Sequence, residues 1–215
     1  MKVTILCSDA AHPINAYLDR WMANMQPSIA VERVRRKKDA SGGDLLFLVS
    51  CSEIVTAQDR AAYGVSLVLH ASDLPRGRGW SPHIWELSQG AEAITLSLLE
   101  AGDKVDTGRI WKKVHIPVPR HALWDEINHL LFQAEIDLIE FAIKNFGAIG
   151  PEPQSAGIPA TYYPKRTPLD SKVDPFKSIA EQFDLILICD SNRFPAYFDY
   201  LGHRYILKVE KSNEP

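Results

Sequence analysis

The sequence predicts an α/β fold, a Rossmann-like, mostly parallel sheet with helical crossovers, and three apolar runs carry that expectation. Residues 45–49 and 65–69 are continuous and apolar, the texture of strands covered on both faces, and the helix-permitting residues 54–63 lie between them. Residues 3–7 give a third such run at the start of the chain, rich in β-branched side chains. With 215 residues the chain fits one domain with a small appendage and can bury roughly 70% of its unfolded surface.

In chain order, residues 3–7 make the first strand, SDAAHP the loop after it, and residues 14–25 a helix. Residues 31–34 add a short strand before DASGGD breaks the chain, and the two buried strands at 45–49 and 65–69 follow. A short helix is expected over residues 81–90, with Ser81 as cap, Pro82 in its first position and Gly90 as terminator. Residues 94–99 and 109–118 are further strands, the second closed by PVPR. The clearest helix follows: Leu123, Ile127, Leu130, Ala134, Leu138 and Phe141 recur at three and four, and Gly147 stops it. From Gly150 the texture changes to the proline-rich GPEPQSAGIPATYYPKRTPLDSKVDP, close to the length at which an irregular segment is either functional or disordered. Beyond it the pattern gives a short helix over 176–183, a buried strand over 185–189, and a hairpin of 196–200 with 205–209 around LGHR. The tail beyond Lys211 is expected to fray. Residues 1–149 thus form the main domain, and residues 150–215 a small C-terminal α/β extension packed on it.

Composition narrows the function. Lys plus Arg number 24 against 27 Asp plus Glu, a net charge of -3, so the field of the whole chain does not favour nucleic acid. RVRRKK at 33–38 is the local exception, either a solvated loop or helix end or an anion-attracting rim. Cys7, Cys51 and Cys189 are odd in number, far apart and mostly in apolar runs, which reads as buried thiols of a reducing compartment rather than a disulfide frame or a zinc site. No basic-plus-apolar signal precedes the first strand, and no apolar run approaches the roughly 20 residues that span a bilayer; the expectation is a cytoplasmic protein with no membrane partner.

The carboxyl ends of such a sheet gather residues 8–13, 50–54 and 70 onward along one edge. His70 ends an apolar run there, where its ring can face a cleft; a hydrogen-bonded structural histidine is the alternative. Asp106, in DKVDTG, is followed by Gly108, so its turn can approach another loop closely and bring a carboxylate to His70. Asp103 competes for that role, and a solvated turn acid is the simpler reading of both. Between the two lies SDLPRGRGWSP, where Gly77 and Gly79 permit close ligand approach and Pro75 and Pro82 stiffen the loop. A metal hydrolase built on His70, His83 and Asp106 lacks compact ligand spacing.

HASDLPRGRGWSP followed by DTGRIW resembles the folate-dependent formyltransferases, whose pattern is Asn-x-His, Ser-x-Leu-Pro, a Gly-rich loop and Asp-x-Gly before a strand. The later TYYPKRTPLDSKVD, with FPAYFDYLGHRYIL, resembles the sugar-directed branch, which includes short bacterial enzymes that formylate nucleotide-linked amino sugars in pseudaminic-acid-type pathways. Together these cover most of residues 65–208. The resemblance implies a formyltransferase catalytic domain over 1–149, N10-formyltetrahydrofolate as donor, a nucleotide-linked 4-amino sugar as acceptor for surface-glycan synthesis, and a catalytic His/Asp/Asn group. His70 and Asp106 match that group residue for residue. Val68 stands where the pattern has asparagine, so the oxyanion donor falls to Ser72, a backbone N–H of the glycine loop, or protonated His70. Losing one such donor costs about 3 to 4 kcal/mol, so an active enzyme needs a substitute.

The resemblance also implies a pterin cleft of loop backbone and apolar side chains, at Ser50, Cys51, Ser52 and Ile54 on one side and Ala101, Gly102, Asp103 and Val105 on the other. For the acceptor, Trp80, Tyr162 and Tyr163 supply stacking faces and Arg76, Lys165 and Arg166 supply cations for a pyrophosphate, beside the backbone of Gly77. Packing of the extension onto the sheet is the alternative for Tyr162 and Tyr163. Two other readings stand beside the sugar enzyme: a methionyl-tRNA or ribonucleotide-amine formyltransferase, and an inactive folate- or nucleotide-binding module. A tRNA enzyme ordinarily adds a basic C-terminal domain, for which this chain has neither length nor charge. A homodimer is compatible with the sequence.

Overall fold

The computed structural model describes residues 1–212, and the fraying expected of the tail beyond Lys211 falls, past residue 212, outside the described residues. Strands β1 (Lys2–Leu6), β2 (Ala30–Val34), β3 (Gly43–Leu48), β4 (Tyr63–His70), β6 (Ala93–Glu100) and β7 (Ile110–Pro117) form one sheet in the order β2-β1-β3-β4-β6-β7. The first four are parallel; β6 and β7 run antiparallel, with His70 opposite Ser97. The chain is thus α/β with a mostly parallel sheet, as the apolar runs predict. Helix α1 (Ile14–Ala23) makes the first crossover, and the four-residue α2 (Ala57–Arg60) lies before β4, its start fixed by reciprocal hydrogen bonds between Thr56 and Asp59.

Alternation along the strands divides the core unequally. Val3, Ile5, Leu45, Phe47 and Val49 face a large cluster completed by α1 and by α4 (Trp124–Lys144), whereas Leu6 and Leu46 meet only Val55 and a few half-buried neighbours. Helix α4 is the expected long helix: of the expected stripe Leu123, Ile127 and Leu138 are buried and Leu130, Ala134 and Phe141 half-buried against the core, and the buried face extends further, to Leu131, Phe132, Glu135, Ile136, Ile139 and Ala142. The expected stripe is one edge of a wider buried face that includes the carboxyl of Glu135.

Four local expectations are corrected. Ser81 precedes α3 (Pro82–Ser88) but sits at φ 46° and makes no capping side-chain bond; Pro82 alone sets the start. Residues 176–183 do not form a helix; a 3₁₀ turn at Ala180–Gln182 leads into α5 (Phe183–Leu187), so most of the buried strand expected at 185–189 is helix end. A short apolar run cannot distinguish strand from buried helix, and Ile186, Leu187, Ile188 and Cys189 all bury in the main core. The hairpin forms as β9 (Ala196–Tyr200) and β10 (His203–Leu207), starting its second strand two residues early because Leu201 and Gly202 are both left-handed, a two-residue turn.

The extension shares the main core through α5 and Ala196, and it returns to the sheet edge, where Glu152 bridges Ile110. Further along, β8 (Tyr162–Tyr163) pairs in parallel with β5 (Arg78–Gly79) of the glycine loop. Among the described residues no helix is long and apolar enough to cross a membrane. Cys7 and Cys189 are buried, Cys51 half-buried, and all three are free.

Candidate active site

His70 ends β4 with its ring buried. Its Nε2 lies 2.8 Å from the Gly77 carbonyl and its Nδ1 3.5 Å from Asp106 Oδ1. Both ring nitrogens therefore face acceptors: a ring carrying its proton on Nδ1 donates toward Asp106 and keeps the Nε2 lone pair, against the Gly77 carbonyl, for an incoming proton. Asp106 is buried at φ 56°, and its other carboxylate oxygen accepts the Gly79 N–H at 2.9 Å. Asp103, the competing acid, instead pairs with Arg60 on the exposed rim. Thus the structure brings Asp106, and not Asp103, to His70.

Two glycines explain why this turn and this loop can meet. A Cβ on Gly108 would lie 1.7 Å from the Glu100 carbonyl, so the turn doubles back against β6 only with hydrogen at that position. A Cβ on Gly79 would lie 2.4 Å from the Tyr163 carbonyl, and its φ of +97° suits glycine in any case. The glycine loop is fully committed: Gly77 N–H donates to Thr161 Oγ1, Arg78 to the Thr161 carbonyl, Gly79 to Asp106, and Trp80 to the Tyr163 carbonyl. Those four amides have acceptors already, so none is spare for an oxyanion. Ser72 is fully buried beneath Gly77, and its Oγ has no partner among the described residues. Val68, two residues before His70 on β4, is half-buried beside Leu48 and Leu99.

Two further histidines lie in this neighbourhood. His12 Nδ1 accepts the Ile14 N–H at 3.3 Å and its Nε2 meets Ser50 Oγ at 3.1 Å; burial, then the Arg193 charge, push it down to about 4. His83, in the first turn of α3, has a buried Nδ1 with no partner among the described residues; burial above all, and then its neighbours His70, His12 and Arg166, push it down to about 3. Both are neutral at physiological pH. Glu86, one turn on, has its carboxyl pushed up by burial and then by Asp73.

The residues expected at the pterin cleft occupy two facing loops. Ser50 is at φ 45°, its carbonyl accepts from Ser8 Oγ at 3.3 Å, and Ser8 Oγ accepts the Ser52 N–H at 2.9 Å. Cys51 is half-buried. Arg60 joins this side to the other by donating to the Val55 and Gly102 carbonyls and pairing with Asp103, with Ala101 anchored to β4 through the Ser66 carbonyl. On these loops Ile54 is 69% exposed and Val105 60%, two apolar side chains left free to cover a flat ring.

Of the residues expected to meet the acceptor, Trp80 is 46% exposed with Lys165 Nζ 5.0 Å over its ring, and Tyr162 is exposed with Arg78 stacked 5.8 Å above it. Tyr163 stacks on Trp85 at 6.2 Å, whose Nε1 donates to the Pro164 carbonyl, so Tyr163 serves packing. Arg166 is turned inward to the Asp170 carbonyl and Ser171 Oγ, and Arg76 is exposed. Sequence reading missed Gln154, Thr161, Arg78 and Trp85, which join the extension to the loop; only pairing across some 80 positions reveals them. The basic run at 33–38 is largely a set of pins: Arg35 holds the Cys7 carbonyl and Asn15, Arg33 pairs with Asp19, Arg36 with Glu53 and Lys37 with Asp59.

A hollow of about 380 Å³ at the start of α4, lined in part by His121, Asp125, Glu126 and His129, contains none of these groups. Among the described residues no cluster of His, Cys, Asp and Glu is arranged to hold a metal.

Residues 1–141 match the family model described as Formyl transferase. The chain belongs to the formyl transferase family. That family draws its one-carbon unit from N10-formyltetrahydrofolate. Methionyl-tRNA formyltransferase of Clostridium beijerinckii is 29% identical over 186 residues, which are 80% of this chain and 58% of that protein. The chain spans a little over half the length of that curated relative. Among solved structures, methionyl-tRNA formyltransferase from Clostridium thermocellum superposes with a TM-score of 0.82 at 18% identity, covering 100% of this chain and 95% of that one. A 4-N formyltransferase from Francisella tularensis gives 0.71 at 13% identity, covering 99% and 98%. HypX from Aquifex aeolicus in complex with tetrahydrofolic acid gives 0.75 at 19% identity, covering 95% and 36%. These three likenesses show the fold.

Proposed function

We propose that this chain transfers a formyl group from N10-formyltetrahydrofolate to the amine of a nucleotide-linked 4-amino sugar, a step of bacterial surface-glycan synthesis. The observation that carries the chemistry is the buried His70–Asp106 pair at the carboxyl end of β4, enclosed by the glycine loop. The acceptor's amine nitrogen bonds to the formyl carbon and its proton passes to His70, which leaves its Gly77 contact to take it. The carbon–N10 bond breaks as that proton is returned to N10, giving a formamide and tetrahydrofolate. Asp106 orients the ring through Nδ1 and stabilises it while it holds the extra proton.

With Val68 unable to donate, and the loop amides committed, the oxyanion falls to Ser72 Oγ or to protonated His70. The acceptor class is supported by the exposed Trp80 and Tyr162 faces with Lys165 and Arg78 beside them, which suit a nucleotide base and a pyrophosphate. Free thiols at Cys7, Cys51 and Cys189 support a reducing, cytoplasmic setting. The test mixes purified protein with N10-formyltetrahydrofolate and a panel of UDP- and dTDP-linked 4-amino-4,6-dideoxy sugars, with formylated product read by mass spectrometry. No product from any panel member sinks the proposal.

One observation favours a second reading, in which the acceptor is methionyl-tRNA: the curated relative bears that name. The net charge of -3 argues against it. Formylation of methionyl-tRNA at physiological salt in the same assay would reverse the order of the two.

A further inference from the structure

We infer that Gln154 is a positioning residue: it locks the Asp106 turn to the glycine loop and thereby sets where the Asp106 carboxylate meets His70. The inference rests on the formyl-transfer reading of that pair. Gln154 Nε2 donates to the Asp106 carbonyl at 2.8 Å and to the Gly108 carbonyl at 3.0 Å, while its Oε1 accepts from Arg78 Nη2 at 2.7 Å. One side-chain amide thus uses both donors on the turn and an acceptor on the loop.

Asp106 needs such a clamp. At φ 56° it lies in the left-handed region, which a non-glycine residue keeps only when its surroundings enforce it. The enforcing contacts sit at its two ends, the Gly79 N–H on the carboxylate and the Gln154 amide on the carbonyl. Gly108 completes the turn by close approach to Glu100, so the same amide spans the two residues on which the return of the chain depends. Arg78, at the far end of the clamp, also donates to the Tyr162 hydroxyl at 3.1 Å, and its own strand pairs with Tyr162 and Tyr163. Gln154 therefore couples the acceptor wall to the catalytic carboxylate. Its neighbour Glu152, bridged to Ile110 through two backbone hydrogen bonds, anchors it at the sheet edge. Asparagine, one methylene shorter, does not reach both loops.

Gln154→Met keeps length and bulk while removing all three hydrogen bonds, and Gln154→Glu keeps the acceptor for Arg78 but turns an oxygen toward two carbonyls. We expect both to lower kcat by about tenfold to a hundredfold, the glutamate more, as small displacements of reacting groups do. KM for N10-formyltetrahydrofolate should stay within about twofold, because Gln154 bonds none of the residues assigned to the pterin cleft. In an Asp106→Asn background Gln154→Met should add less than about twofold, since the carboxylate it positions is gone. The ring ¹⁵N resonances of His70 should move in Gln154→Met without any substrate present. That readout stands even where no amino sugar is formylated, so failure of the acceptor assignment and failure of this inference are distinguishable. Should Gln154→Met fail to fold, Arg78→Met removes the anchor at Oε1, and the substrate-free shift of the His70 ¹⁵N resonances is then the deciding readout, because Arg78 also faces the acceptor. Unchanged kcat in folded Gln154→Met, or full additivity with Asp106→Asn together with unmoved His70 resonances, overturns the inference.

Discussion

Replacing Glu135 with glutamine should stabilise the protein, and by more the higher the pH. Glu135 lies on the buried face of α4, its Oε2 is without a hydrogen-bond partner among the described residues, and burial alone pushes its carboxyl up to about 8 from an ordinary 4.5. An acid whose pKa is raised on folding holds a proton in the native state that the unfolded chain has released. Its contribution is fully present below pH 4.5 and is lost as the pH climbs toward 8. At mid-window each pH unit weakens the native state by about 1.4 kcal/mol, so the wild type loses about 3 kcal/mol between pH 4.5 and 7 and about 4 kcal/mol by pH 8. Glutamine has nearly the same shape and no charge to desolvate. Urea unfolding of both proteins at pH 5, 6, 7 and 8 should therefore show curves that nearly coincide at the acid end and separate by a few kcal/mol at the other, with m unchanged. A separation that is constant with pH, or that narrows as pH rises, refutes the assignment of a neutral buried carboxyl.

Three further outcomes follow from the site. Asp106→Asn should leave the fold intact and reduce kcat by at least about a hundredfold in the formylation assay, because the ring loses the charge that stabilises its protonated state. Gly108→Ala pushes a Cβ to within 1.7 Å of the Glu100 carbonyl, so the turn must move. It should cost about 1–3 kcal/mol by thermal unfolding and lower kcat as well. Trp80→Ala removes an exposed stacking face and should raise KM for the nucleotide sugar about tenfold while leaving KM for the folate unchanged, by steady-state kinetics varying one substrate at a time.

The sequence makes some of these features readable and hides others for physical reasons. His70 and Asp106 are visible because each sits where local pattern changes, one at the end of a continuous apolar run and the other in a turn closed by Gly108. The parallel strands are visible because burial on both faces erases alternation. Helix α4 is visible as a helix, but its buried face is wider than one apolar stripe and includes Glu135, a core position that a hydrophobic pattern leaves blank. Residues 185–189 mislead because five apolar residues carry no period long enough to separate strand from helix. Gln154 leaves no local trace at all: its role consists of bonds to Arg78, Asp106 and Gly108 formed across a proline-rich segment, and an isolated glutamine there looks like any solvated side chain.

The glycine loop has committed each amide proton from Gly77 to Trp80 to Thr161, Asp106 or Tyr163, and this bears on how the enzyme's choice of acceptor can evolve. A loop with free amides grips its ligand by main chain, and its preference is then tied to a backbone shape that few mutations can alter gradually. Here the main chain is occupied in holding itself, so under the proposed function discrimination among acceptors would rest on replaceable side chains such as Trp80, Lys165 and Tyr162. New acceptors are then open to this scaffold by point substitution, with the catalytic pair and the loop that frames it untouched.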